Sequence, residues 1–128
     1  MQQTSVPDLR FGPLQMGIIV LTLATAVIHW VLAASIPGMG MMSTLFILNG
    51  IGYVVLLAAL YLPQLAGIRR VVRWVLIAYT ALTIVLWFTM SRPNTIGYID
   101  KAIEIVLIIL LILEDWQRNG GVTGYGTN

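Results

Sequence analysis

The chain has 128 residues, 59% of them hydrophobic and 9% charged, with a formal net charge of +2. That is enough for one domain, far more apolar than a soluble one, and too weakly basic to suggest a nucleic-acid partner. Cysteine is absent, which excludes disulfides, thiolate metal sites and a cysteine nucleophile.

Residues 1–12 form a polar tail with Pro7 and one basic residue, Arg10. Pro13 suits the first turn of a helix, where a missing N–H is no loss, and a first span is predicted over 13–34. Residues 14–34 carry no formal charge, a run longer than a signal-peptide core, so the segment reads as a retained span. Ile36-Pro37-Gly38 breaks it. A second span is predicted over 41–62, ended by Pro63. The next connection holds Arg69, Arg70 and Arg73, and a third span covers 72–90. Ser91-Arg92-Pro93-Asn94 is a turn cluster. A fourth span is predicted over 98–116. The tail, 117–128, is rich in glycine and is expected to be flexible.

Short connections make neighbouring helices antiparallel, so the expected fold is an all-α membrane protein, an up-down four-helix transmembrane bundle over 13–116. A β-barrel would need strict alternation, which these runs lack. Basic residues set orientation. Arg10, Arg69, Arg70, Arg73 and Arg118 lie at one end and Arg92 and Lys101 at the other. This places both termini in the cytoplasm of a multi-pass protein of the cell (inner) membrane. Arg69, Arg70 and Arg73 are expected to set topology and meet lipid headgroups.

The fourth span is unusual. Asp100, Lys101 and Glu104 lie inside it, within one arc of about 100° at 100° per residue. A charge facing lipid costs several kcal/mol, so this stripe must face protein or water. His29 in span one and Asn49 in span two sit at similar depth. Together they make a candidate intramembrane polar cluster: His29, Asn49, Asp100, Lys101 and Glu104. Several chemistries fit it. His29 with Glu104 suits a proton relay; His29 with Asp100 or Glu104 is a thin metal-ligand set without a local motif; a lone His can be the axial ligand of a chlorin or haem. A purely structural role also fits, with Lys101 paired to Glu104, Asp100 paired to Arg92, and His29 and Asn49 bonding between helices. On this pairing Glu104→Leu is expected to be tolerated better than Lys101→Leu, which strands two acids. Gly50 and Gly52 are expected to let a neighbouring helix approach closely. Thr25 lies four residues before His29 and shares its face.

Phosphate loops, paired His ligands, a nucleophile elbow and zinc signatures are all missing, so no catalytic residue and no metal site is assigned and an enzyme is not expected. The order of features resembles an uncharacterised class of small prokaryotic four-span membrane proteins. The resemblance rests on Leu45-Phe46-Ile47-Leu48-Asn49-Gly50-Ile51-Gly52-Tyr53, Tyr79-Thr80, Leu86-Trp87-Phe88 and, most distinctive, Gly97-Tyr98-Ile99-Asp100-Lys101. It implies a membrane protein of unknown function and carries over no functional residue. The leading expectation is a non-catalytic accessory subunit of a larger membrane complex, of the respiratory or photosynthetic electron-transfer kind. The alternatives are a small proton- or ion-coupled transporter or channel, homo-oligomeric, and a pigment- or haem-binding protein using His29. The expected partners are the lipid bilayer and other membrane subunits or copies of the same chain.

Overall fold

The computed structural model describes residues 11–35, 40–90 and 94–120. Arg10, Arg92, the Ile36-Pro37-Gly38 break and most of the two tails lie outside them, as does any Asp100–Arg92 pair. Four long helices follow one another: α1 (Pro13–Ser35), α2 (Met41–Tyr61), α3 (Arg69–Met90) and α4 (Thr95–Asp115). A short 3₁₀ turn, Pro63–Ile68, joins α2 to α3, and one π turn, Trp116–Gly120, follows α4. There is no strand among the described residues.

The helix ends have local causes. Leu62 is extended and Pro63 follows it, which stops α2. Asn94 is extended and its side-chain oxygen accepts from the Gly97 amide at 2.7 Å. That cap starts α4 three residues earlier than predicted, because it satisfies a donor the first turn leaves open. Likewise α3 begins at Arg69 rather than 72, so Arg73 lies a full turn inside the helix.

Pairing is antiparallel throughout. The end of α1 meets the start of α2, where the Trp30 indole donates to the Ile47 carbonyl (3.1 Å) and the Ser43 hydroxyl to the Ala33 carbonyl (2.9 Å). Arg69 at the start of α3 donates to the Leu60 carbonyl near the end of α2 (2.7 Å). Trp87 late in α3 stacks edge-on with Tyr98 early in α4. Gln15 early in α1 meets Glu114 late in α4. Each helix packs on its two neighbours, α1 on α2 and α4, α3 on α2 and α4, while the diagonal helices α2 and α4 meet through the long side chains of Tyr53 and Tyr61. The result is a four-helix up-down ring around Ile18, Leu57, Leu60, Leu76, Leu107 and Leu111.

Three segments, Pro13–Ser35, Met41–Tyr61 and Pro63–Met90, are long and apolar enough to cross a membrane. α4 is long enough but carries Asp100, Lys101, Glu104, Glu114 and Asp115. All five are buried, while Ile105, Val106, Ile109, Ile112 and Leu113 face outward.

The glycines in α2 sit at its tightest contacts. A Cβ at Gly50 would run into the Trp30 indole and lie 2.9 Å from the Ala26 carbonyl oxygen, and one at Gly52 would run into the Tyr79 hydroxyl. Gly97 of α4 lies against the Trp87 indole in the same way.

Candidate functional site

The inward face of α1 reads Gln15, Ile18, Thr22, Thr25, His29, a three-to-four spacing that lines up one stripe. The inward face of α4 reads Gly97, Asp100, Lys101, Glu104, Leu107, Leu111, Glu114, Asp115. Antiparallel packing lays one stripe on the other. Polar meets polar at two levels, with an apolar layer between them.

At the upper level, His29, Asp100, Lys101 and Glu104 come together, each at most 3% exposed. The Lys101 ammonium donates to Glu104 Oε1 (2.5 Å) and lies 3.3 Å from Asp100 Oδ2. Tyr53 of α2 donates its hydroxyl to Glu104 Oε2 at 2.9 Å. Thr25 Oγ1 lies 2.5 Å from Asp100 Oδ1 and 2.9 Å from Glu104 Oε2. The His29 Nδ1 atom is 2.8 Å from the Thr25 carbonyl oxygen. A carbonyl only accepts, so Nδ1 carries the hydrogen and Nε2 is the position left to take up or release a proton. Nε2 lies 3.9 Å from Glu104 Oε2.

These distances constrain the protons. A threonine hydroxyl has one hydrogen, yet Thr25 stands within bonding distance of two carboxylate oxygens. It can donate to one of them. The other pair of oxygens is satisfied either by a three-centre bond from the same hydrogen or by a hydrogen that the carboxyl group brings itself. With both acids ionised, Lys101 charged and His29 neutral, the set carries one negative charge; one bound proton makes it neutral, the least costly state for a buried group.

Ligand atoms of His29, Asp100 and Glu104 lie within 4.8 Å of one another, so among the described residues these three are placed to hold a metal ion. Lys101 already occupies one carboxylate oxygen of each acid, and an incoming cation has to displace that ammonium. Asn49 does not join this group directly. Its Nδ2 donates to Thr83 Oγ1 at 3.0 Å, and its backbone carbonyl accepts from the Tyr79 hydroxyl at 2.8 Å. It meets the others across a cleft of about 70 Å³ lined by His29, Asn49, Thr83, Trp87 and Lys101, with Met42, Leu45, Phe46, Leu86 and Met90 as apolar walls.

The lower level is absent from the sequence reading. Arg73 is 1% exposed and donates to Glu114 Oε1 and Asp115 Oδ1, both at 2.9 Å. Glu114 Oε2 accepts from Tyr61 (2.7 Å) and Gln15 (2.9 Å), and Gln15 Oε1 accepts from the Gly12 amide at 3.0 Å. All four helices thus meet on Glu114. Of the three arginines expected at headgroups, Arg73 is turned inward instead, because α3 starts early and its buried face runs Arg73, Leu76, Thr80, Thr83, Trp87. Arg70 reaches Asp115 at 3.1 Å with most of its side chain exposed. Arg69 donates to the carbonyls of Leu60 and Leu62, completing the end of α2. Tyr53 and the Gln15–Glu114 pair left a signal that was there to read: polar residues recur on the same face of each helix as the known cluster.

No curated protein and no solved structure matches the chain. Residues 2–113 match a family of unknown function, DUF7475, and this chain belongs to that family.

Proposed function

We propose that this is a four-span protein of the cell membrane whose upper cluster binds and releases a proton, and that it works as a small proton-coupled transporter or channel. The observation that carries the reading is the single Thr25 hydroxyl hydrogen set between two carboxyl groups, Asp100 and Glu104. A net negative, buried group of this kind gains most by holding one proton, and His29 Nε2 is placed to exchange it. That α4 crosses the bilayer with the other three helices is supported by its faces: the charged residues point inward and the outward ones are apolar. Both termini are assigned to the cytoplasm. With Arg73 and Lys101 buried, Arg10, Arg69, Arg70 and Arg118 at the terminal end still outnumber Arg92 at the other.

The accessory-subunit reading drew on a charged stripe in need of a cover. Here α1, α2 and α3 of the same chain supply that cover, which leaves small size and short loops as its support. A pigment or haem on His29 fits poorly. The cleft beside the imidazole has about 70 Å³, half the roughly 150 Å³ that admits benzene, and a macrocycle is far larger.

The test is infrared spectroscopy of the purified protein at neutral pH, with proton flux in liposomes beside it. A carbonyl band of a protonated, buried carboxylic acid is expected. It disappears in Glu104→Gln or Asp100→Asn, and proton flux falls at least tenfold in the same variants. A folded wild-type protein with no such band between pH 5 and 9 overturns the reading.

A further inference from the structure

The two ends of the bundle are not alike. At the upper end the cleft between α2 and α3 runs inward from Met42 and Met90 to Asn49 and Thr83, and it reaches His29 and Lys101. Met42 to Asn49 is seven residues of helix, about 10 Å at 1.5 Å per residue. Two of the lining residues, Asn49 and Trp87, carry a buried polar atom with no protein partner: Oδ1 of the amide and Nε1 of the indole. Buried polar atoms of native proteins are almost always bonded. A water needs about 10–15 Å³ of such free volume and two or more polar partners. A cleft of about 70 Å³ has room for several, and its lining includes the polar side chains of His29, Asn49 and Lys101, while the Trp87 indole N–H lies against Gly97 of α4.

Among the described residues the lower end is closed. Between Glu104 and Glu114 lie about 15 Å of helix, filled by Ile18, Leu57, Leu60, Leu76, Leu107 and Leu111. The hydroxyls of Thr22 and Thr80 in that stretch are spent on their own helices, donating to the carbonyls of Ile18 (2.6 Å) and Leu76 (2.8 Å). They offer no hydrogen to a water chain. Below, Arg73, Glu114, Tyr61 and Gln15 bond one another fully, with none of their buried polar atoms left unpartnered.

We infer that the α2–α3 cleft is a water-filled half-channel that connects His29 and Glu104 to the outer side of the membrane alone, while the leucine layer and the Arg73–Glu114 lock seal the inner side. The inference rests on the proton-site reading and sharpens it. A site open to one side releases its proton to the other only after a rearrangement, so the protein is a carrier that alternates between two states, not an open pore. The rearrangement has to part the Arg73–Glu114 lock, since that is what ties all four helices at the sealed end.

The absence of cysteine makes the test direct. Single variants Asn49→Cys, Thr83→Cys and Leu107→Cys are reconstituted in sealed vesicles and exposed to a charged, membrane-impermeant thiosulfonate from either side. That reagent needs a thiolate, hence water. The two cleft cysteines are expected to react from the outer side at least tenfold faster than from the inner, with Leu107→Cys unreactive from the outer side. Met42→Cys, at the mouth, serves if Asn49→Cys does not fold. Cleft cysteines that react only with a lipophilic maleimide overturn the inference, because lipid then fills the cleft. So does equal reaction from both sides, or reaction at Leu107→Cys from the outer side. The infrared band decides the proton site by itself, so either idea can fail while the other stands.

Discussion

Replacing Lys101 with methionine removes the one full positive charge from the upper cluster and keeps the side-chain volume. In the native protein Lys101 Nζ contacts Glu104 Oε1 and Asp100 Oδ2. With one proton shared between the acids, the native set is neutral; without Lys101 it carries one negative charge. An uncompensated charge deep in a membrane helix costs about 2.5–3.5 kcal/mol, and breaking a buried pair from one side costs about 3–5 kcal/mol. The two ranges meet near 3 kcal/mol, and that is the expected loss. Glu104→Gln keeps acceptors for Tyr53 and Thr25 and leaves Lys101 paired with Asp100, for a cost of about 1 kcal/mol. The double variant leaves a single acid that can take up the proton and be neutral. It is expected to lose about 2 kcal/mol, less than the sum of the two. Reversible denaturant unfolding in detergent micelles, followed by tryptophan fluorescence, measures all three. A Lys101→Met cost under about 1 kcal/mol, or a double variant equal to the sum, refutes the charge argument. For Leu substitutions the gap between positions 101 and 104 narrows. Glu104→Leu also strands the Tyr53 hydroxyl, which the sequence did not reveal as a partner, while Thr25 keeps Asp100.

Arg73→Met leaves Glu114 and Asp115 without their shared buried guanidinium and is expected to destabilise by about 3–5 kcal/mol; a melting temperature in detergent close to that of Arg70→Met speaks against the lock, since Arg70 is largely exposed. Gly50→Ala forces a Cβ against the Ala26 carbonyl and the Trp30 ring and should cost about 1–3 kcal/mol, with part recovered in Gly50→Ala/Trp30→Ala; an unchanged unfolding midpoint for the single variant counts against the packing. Tyr53→Phe loses one hydroxyl bond to Glu104 and should cost about 1–2 kcal/mol, read by the same denaturant titration; no loss means the bond is not formed in the native bundle. Asn94→Ala removes the cap of α4 and should cost about 1 kcal/mol, seen as faster hydrogen exchange at the Gly97 amide; unchanged exchange there contradicts the cap.

Composition and spacing determined that the chain forms four helices, three of them long and apolar enough to cross a membrane, because hydrophobic runs of about twenty residues and Pro or Asn at their ends leave few other choices. They also determined that Asp100, Lys101 and Glu104 must face inward, because lipid does not solvate charge. The Lys101–Glu104 pair is legible too, being local on one helix. The sequence could not determine which residues on other helices complete the set, because that depends on the rotation and offset of each helix against its neighbours. Tyr53 and Thr25 could be placed on the faces of Asn49 and His29, but what they bond was fixed only by laying α1 and α2 beside α4. Arg73 looked like an interfacial arginine because its partners, Glu114 and Asp115, are some forty residues away in the chain. Likewise the unpartnered atoms of Asn49 and Trp87 arise only because neighbouring helices pack over them. Helices and their inward faces follow from local chemistry repeated at helical spacing. Partners and the difference between the two ends follow from packing, which tertiary structure alone decides.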